Sequence, residues 1–369
     1  MSTDDLQGLR NEIDAIDQQI QRLLNERASC AKRVAEVKLK ELELSGAGAD
    51  QRPVFYRPER EAQVLRKVME RNEGPLDPKE MAHIFREIMS ACLALEQPME
   101  IAYLGPQGTF TQAAALKHFG HSVITRPVGN IAEVFDAVER KICDYGVVPV
   151  ENSTEGMVTH TLDKFINSPL KICGELELPI ALHLLVKDGV KRGDIQKICA
   201  HQQALAQSRL WLQHNYPGVE IQAVSSNGEA AKMAAEDASM AAIAGDIAAE
   251  HYGLFTLASS IQDYADNTTR FLVIAPEEVP ASGHDKTSMV VSTRNIPGAL
   301  FKLLAPLEEE GISLTRIETR PSRTENWAYV FFMEFLGHHQ DPAVKRVTDA
   351  IAEQSFFIKV LGSYPAAVI

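Results

Sequence analysis

The run IAYLGPQGTFTQAAALKHF, Ile101–Phe119, places four mostly apolar residues before a Gly- and Pro-rich turn and then a helix-forming stretch, the pattern of a strand feeding a helix. The same alternation continues through Ala132–Arg140, Gly146–Val150, Leu182–Val186, Ile198–Ala200, Ala204–Asn215, Glu229–Ala235 and Ala241–Ala244, and it ends on Phe271–Ala275. This order predicts an α/β domain over residues 98–275. On its amino side the composition differs: residues 1–97 carry 15 basic and 18 acidic side chains, whereas the remaining 272 residues carry 22 and 32. From Asp4 to about Leu44 apolar residues recur at spacings of three, four and seven (Leu6, Leu9, Ile13, Ile16, Ile20, Leu23, Leu24, Val34, Val37), which predicts one long amphipathic helix. Gly46–Arg52 reads as a loop, Pro58 opens a second helix through Glu70, and Asp77-Pro78 cap a third that ends near Glu96. On the carboxyl side Pro276–Asp285 reads as a linker. Strand Thr287–Ser292, helix Gly298–Glu310, strands Ile312–Arg320 and Trp327–Phe335, helix Pro342–Glu353 and strand Ile358–Tyr364 follow, a βαββαβ unit of the ferredoxin-like kind over residues 286–369.

Length and charge bound the function. A chain of 369 residues exceeds what one hydrophobic core serves, and 45% hydrophobic with 24% charged residues is ordinary globular usage. The net charge of −13 repels phosphate backbones and anionic lipid, so neither nucleic acid nor membrane is an expected partner, and an anionic small ligand needs a local basic cluster. Met1–Leu9 lacks the basic and apolar regions of a secretory signal, and the five scattered cysteines lack CxxC spacing. The expectation is a cytoplasmic protein with buried, reduced thiols. The eleven histidines form no metal-ligand spacing, Ser153 has no GxSxG context and Cys199 has no recognisable partner; metal and cofactor are expected to be none.

Basic residues of the first segment suit an anion. Arg27 and Lys38 are eleven positions apart, which on a helix is about 16 Å along the axis and within about 20° of one face. Arg60, beside Glu61, could close a pocket between them; Arg10 lies about 25 Å above Arg27 and would have to come from a partner's helix. Spacing alone equally allows solvated face residues. In the α/β segment GPQGTF (Gly105–Phe110) reads either as an anion-binding loop or as a plain strand-to-helix turn. VVPVENSTEG (Val147–Gly156) ends a strand in polar residues, where open α/β sheets hold ligands. NTTRF (Asn267–Phe271) offers a hydroxyl at Thr269 and a bidentate carboxylate binder at Arg270.

Three resemblances rest on these residues. GLRNEIDAID (8–17), LLNERASCA (23–31), VAEVK (34–38) and YRPEREAQVL (56–65) resemble the all-helical chorismate mutase domain, which forms an intertwined dimer. That implies Arg10 from the other subunit, Arg27, Lys38 and Arg60 on the substrate carboxylates, Glu61 at the substrate hydroxyl and Glu96 near the ether oxygen. The family often carries Asp where this chain has Arg57. GPQGTF, VVPVENSTEG and NTTRF, in that order and with AHQQALAQ (200–207) between them, resemble prephenate dehydratase, whose fold is two α/β lobes like those of type II periplasmic binding proteins. The resemblance implies Thr269 as the catalytic residue, Arg270 as a carboxylate contact, and Glu151, Asn152, Ser153 and Gln203 in support. GALFKLL (298–304) and ETRP (318–321) resemble an ACT regulatory domain, which implies phenylalanine binding by Gly298, Ala299, Leu300, Glu318, Thr319, Arg320 and Pro321 at a dimer interface.

All three in this order imply a multidomain enzyme that takes chorismate to prephenate and then to phenylpyruvate, is inhibited by L-phenylalanine and forms a homodimer or higher oligomer. The alternatives are a dehydratase with a helical appendage and a non-catalytic metabolite sensor. NTTRF argues against the sensor, and the basic set Arg10, Arg27, Lys38 and Arg60 argues against the appendage.

Overall fold

A computed structural model describes residues 3–44, 55–264, 266–293, 296–321 and 329–369. The expected loop Gly46–Arg52 lies outside them, as does the start of the expected strand at Trp327. The first segment is α1 (Thr3–Leu44), α2 (Pro58–Glu70) and α3 (Pro78–Ala94). Asp77 caps α3 by accepting the Lys79 N–H at 2.8 Å, with Pro78 at the first helical position. The apolar stripe of α1 is uncovered in the single chain: Ile13, Ile16 and Leu23 are each more than half exposed. Cys30, on the same helix, is exposed, which corrects the expectation of five buried thiols; Cys92, Cys143, Cys173 and Cys199 are buried.

The α/β segment builds two sheets. The first takes β1 (Glu100–Leu104), β2 (Ile124–Val128), β3 (Tyr145–Asn152), the short β4 (Gly156–Met157) and β5 (Lys171–Pro179), with α4 (Phe110–Phe119), α5 (Ile131–Glu139) and α6 (Thr159–Asn167) between them. The second takes β6 (His183–Val186), β7 (Lys197–His201), β8 (Glu220–Val224), β9 (Met240–Ala244) and β10 (Phe255–Ala258), with α7 (Gln202–Gln207), α8 (Arg209–Asn215), α9 (Asn227–Glu236) and α10 (Asp246–Tyr252). The chain then returns through β11 (Thr268–Ala275), which lies between β3 and β5 and runs antiparallel to both. Two crossings between sheets make two lobes with a cleft between them. The single helix expected over Ala204–Asn215 breaks at Ser208, because the Asp263 carboxylate accepts the N–H groups of Leu210 and Trp211 and starts a new helix there.

The last segment is β12 (Asp285–Thr293), α11 (Ala299–Glu309), β13 (Leu314–Pro321), β14 (Tyr329–Leu336), α12 (Pro342–Gln354) and β15 (Phe357–Pro365), with sheet order β13-β14-β12-β15 and all pairs antiparallel. Side chains alternate across it. Met289, Val291, Phe331, Met333 and Phe335 face Leu303, Leu307, Val344 and Ile351 of its helices. Val290, Val330, Phe332, Leu361 and Tyr364 face the other way and share a core with Val148, Val150, Leu162, Phe165, Leu272 and Ile274 of the first lobe. At Gly362 a Cβ would overlap the backbone of Ile172, so glycine permits the close approach. Lys359 Nζ donates to the carbonyls of Phe165, Ile166 and Ser168 at 2.8, 3.1 and 2.6 Å, closing the carboxyl end of α6.

The helical segment is also anchored. Tyr56 packs on Phe119 and Tyr145, and its hydroxyl lies 3.1 Å from His118 Nε2. Burial pushes His118 down to about 3, so it is a neutral packing residue at physiological pH. Arg66 reaches Ser282 and the carbonyls of His284 and Ala366.

Candidate functional site

The cleft between the lobes contains a cavity of about 440 Å³ lined by Asn152, Gln203, Gln207, Asn267 and Thr269 among others, and a larger chamber that shares Leu104, Phe110, His201 and Asn227 with it. Asn152 and Thr269 are directly paired across β3 and β11. That pairing depends on a β-bulge: Phe271 faces Pro149 and Arg270 faces Glu151, so Val150 is the extra residue. Val148 and Val150 face the last segment; by simple alternation Asn152 would too, and the bulge turns it into the cleft instead.

The hydrogen bonds assign the amide orientation. Asn152 Oδ1 accepts from the backbone N–H groups of Thr154 and Glu155 at 3.0 and 3.1 Å, so its Nδ2 is the donor to Thr269 Oγ1 at 2.8 Å and to Asn267 Oδ1 at 2.8 Å. Asn267 Nδ2 in turn donates to Gln207 Oε1 at 3.0 Å. With its oxygen accepting from Asn152, the Thr269 hydroxyl keeps its proton free for a group in the cleft. Asn267 and Gln207 are additions to the expected site; both lie inside the quoted NTTRF and AHQQALAQ stretches, where nothing marked them apart from their neighbours. Ser153 serves the backbone: its hydroxyl donates to the Asp266 carbonyl and accepts the Thr268 N–H, each at 3.0 Å.

Arg270 and Glu151 do not enter the cleft. They alternate with Thr269 and Asn152 along their strands and point to the last segment. Arg270 is buried, with Nε and Nη2 on Glu175 at 2.9 and 2.7 Å and Nη1 on Glu334 at 3.0 Å; Glu151 is ion-paired with Arg316. The expectation that they contact substrate is corrected accordingly. In GPQGTF the Gly108 N–H donates to Gln112 Oε1 at 2.7 Å and Thr109 Oγ1 to the Leu104 carbonyl at 3.1 Å, and Gly105, Pro106, Thr109 and Phe110 line the larger chamber.

In the helical segment Lys38 and Glu96 face one another. Burial lowers the Lys38 pKa against the pull of Glu96, and burial raises that of Glu96 against Lys38. Lys38 Nζ also lies 5.5 Å from the Phe55 ring centroid and 3.4 Å from its carbonyl. Arg10 and Arg60 are exposed and Arg27 is half-buried on α1. Arg10 is 28 positions from Lys38 on one straight helix, about 42 Å, so one chain does not bring them together. Glu61 departs from expectation. It turns toward the α/β segment and pairs with Arg86 at 3.2 Å, and burial raises its pKa against Arg86. A second acid acting on Lys38, after Glu96, is Glu59, 5% exposed, with Oε1 2.6 Å from Arg57 Nε and Oε2 buried without a hydrogen-bond partner. Two positions on a helix are about 200° apart, so Glu59 and Glu61 cannot share a face.

In the last segment Gly298 takes φ 79° before α11, a left-handed conformation that suits glycine. Leu300 is exposed, and Ala299 lines a cavity of about 410 Å³ with Thr293, Ile296, Lys302 and Phe356. On β13 the period of two sends Glu318 and Arg320 the other way. Glu318 borders a small cavity with Val150 and Met157, and Arg320 pairs with Asp163 at 3.2 Å. Thr319 is exposed, and Pro321 sits opposite Tyr329 at the strand end. Within one chain the two expected phenylalanine-binding stretches therefore border different cavities. Among the described residues no group of His, Cys, Asp and Glu is arranged to hold a metal ion, and no helix is long and apolar enough to cross a membrane.

Comparison with known proteins matches three families in order along the chain: chorismate mutase type II at residues 9–97, prephenate dehydratase at 101–279 and the ACT domain at 287–353. The bifunctional chorismate mutase/prephenate dehydratase of Stutzerimonas stutzeri is 57% identical over 366 residues and that of Pseudomonas aeruginosa 55% over 366, each alignment covering 99% of both chains. A solved prephenate dehydratase from Arthrobacter aurescens, in complex with L-Phe, superposes with a TM-score of 0.66 at 34% identity over 72% of this chain and 89% of its own. The chain belongs to the bifunctional chorismate mutase/prephenate dehydratase family.

Proposed function

We propose that the helical segment rearranges chorismate to prephenate, that the cleft converts prephenate to phenylpyruvate, and that L-phenylalanine acts through the C-terminal unit. The observation that carries the second step is the Thr269 hydroxyl, oriented by Asn152 in a cleft of a chain related over its full length to enzymes named for both reactions. Dehydration joins two bond cleavages. The ring carboxylate leaves as carbon dioxide, its electron pair completes the aromatic ring, and the ring hydroxyl leaves as water after taking a proton. Thr269, a poor acid, serves as the positioned donor to that hydroxyl, with Asn152, Asn267 and Gln207 holding it and Gln203 lining the same cavity. Ser153 ties the turn after Asn152 to the segment that enters β11. The two-sheet arrangement supports a fold like type II periplasmic binding proteins, and the 2-3-1-4 strand order of the last unit supports a ferredoxin-like ACT domain. We place the unit boundaries at 1–97, 98–275 and 286–369.

The mutase reaction needs no nucleophile: the ether bond breaks as the new carbon–carbon bond forms, and the protein contributes restriction of a flexible dianion and charge stabilisation. Lys38 and Glu96 serve the ether oxygen, and Arg27 and Arg60 serve the carboxylates. Arg10 comes from a second copy, whose α1 would also cover the exposed apolar stripe, which makes the enzyme a homodimer or higher oligomer. Glu59 takes the hydroxyl-facing place expected for Glu61. At the effector site Gly298–Leu300 of one copy meets Glu318–Pro321 across a dimer interface; the L-Phe complex of the Arthrobacter relative supports the ligand. A cytoplasmic location fits the reduced cysteines.

Purified protein given chorismate is expected to yield prephenate and then phenylpyruvate. Prephenate alone, with added prephenate left unconverted, would refute the dehydratase assignment; no conversion of chorismate would refute the mutase. Thr269→Val keeps the shape and removes the hydroxyl, so dehydratase turnover should fall at least about 100-fold while mutase turnover is unchanged. Turnover within a few-fold of the parent would remove Thr269 from the mechanism.

Glu96 can donate to the ether oxygen only when protonated, so mutase turnover should be highest on the acid side and decline as pH rises through its pKa. Burial raises that pKa, which moves the decline above the ordinary carboxylate range. Glu96→Gln donates at every pH and should flatten the alkaline limb between pH 5 and 9. Parallel profiles for the two forms would exclude Glu96 as the donor.

A further inference from the structure

The structure assigns Glu334 and Arg316, both in the C-terminal unit, as positioning residues of the dehydratase site, acting through Arg270 and Glu151, the strand neighbours of Thr269 and Asn152. The inference rests on the cleft being the dehydratase site, as proposed above. Six side chains alternate in sign across the two packed sheets: Glu151 on β3, Arg316 on β13, Glu334 on β14, Arg270 on β11, Glu175 on β5 and Lys286 on β12. The links are the Glu151–Arg316 ion pair, Arg316 Nε 4.0 Å from Glu334 Oε2, Arg270 Nη2 2.8 Å from Glu334 Oε2 and 2.7 Å from Glu175 Oε2, and Lys286 Nζ 2.6 Å from Glu175 Oε1. Three belong to the first lobe and three to the C-terminal unit, and the charges sum to zero.

Burial makes this row demanding. Side-chain exposure is 6% for Arg270, 3% for Glu175 and 11% for Glu334, so a shift that parts Arg270 from Glu175 or Glu334 leaves a charge in an apolar layer between Val148, Val150, Leu272, Val330 and Phe332. The row therefore tolerates one register of the C-terminal sheet over the lobe. That register sets where Arg270 and Glu151 sit, and each is one peptide unit from a cleft residue, across the bulge that aims Asn152 at Thr269. A small slide of the C-terminal sheet would move the Asn152–Thr269 hydrogen bond without touching substrate.

Arg270 itself is too deeply buried for an informative deletion, so the test uses Arg316, whose side chain is 29% exposed. The full chain, Arg316→Gln and Arg316→Lys are assayed on prephenate and on chorismate. Arg316→Gln should lower dehydratase kcat about tenfold, with KM within about twofold, since the residue acts through others. Mutase turnover should stay unchanged, and Arg316→Lys, which keeps the charge beside Glu151, should restore most of the loss. A Gln variant with parental kcat, a change confined to KM, or a loss that mutase turnover shares would overturn the inference. Parental protein that turns over chorismate but not prephenate would instead overturn the reading of the cleft, and this inference with it.

Discussion

The two faces of strand β11 organise this molecule. Thr269 looks into the cleft and Arg270 looks into the contact with the C-terminal sheet, one residue apart, because side chains alternate along a strand. The neighbouring strand β3 matches it by means of a bulge at Val150, which lets Val148, Val150 and Glu151 face the C-terminal unit while Asn152 faces the cleft. The Asn152–Thr269 pair in the cleft and a domain interface thus share the same two strand ends. Neither can be rearranged without consequence for the other.

The interface combines two kinds of interaction. The apolar layer of Val290, Phe332, Leu361 and Tyr364 against Phe165, Leu272 and Ile274 supplies most of the burial but little direction. The charged row supplies direction, because a buried ion is stabilised only with its partner in place. Burial opposes ionisation of Glu175, yet Arg270 and Lys286 outweigh it and hold the carboxyl below its ordinary range. Lys359 at the end of α6 and Arg320 on Asp163 fix the same register at the rim.

Much of this was legible in the chain. Periodicities of 3.6 and 2 located the three helices of the first segment, the βαββαβ tail and most strands of the middle, and Asp77-Pro78 marked a real cap. The polar ends of two apolar runs pointed to Asn152 and Thr269. What stayed hidden depends on pairings between distant residues. Strand β5 is interrupted as an apolar run by Glu175, whose carboxylate serves both Arg270 and Lys286 on other strands, and by the exposed Glu177. Arg270 reads as a ligand for a substrate carboxylate until Glu175 and Glu334 are seen to occupy it. The bulge leaves no mark in composition, and Glu59 and Glu61 are chemically identical until the helix phase separates them. The stripe of α1 shows the converse, a strong periodic signal that the single chain leaves exposed.

The central claim, that the cleft and the C-terminal sheet are joined through β11, is tested most directly by hydrogen–deuterium exchange of the full-length protein with and without saturating L-phenylalanine. The account predicts that exchange changes in peptides covering 147–157 and 267–275 as well as in 286–321. Inhibition of dehydratase turnover with exchange altered in 286–369 and unaltered in both first-lobe peptides would contradict it.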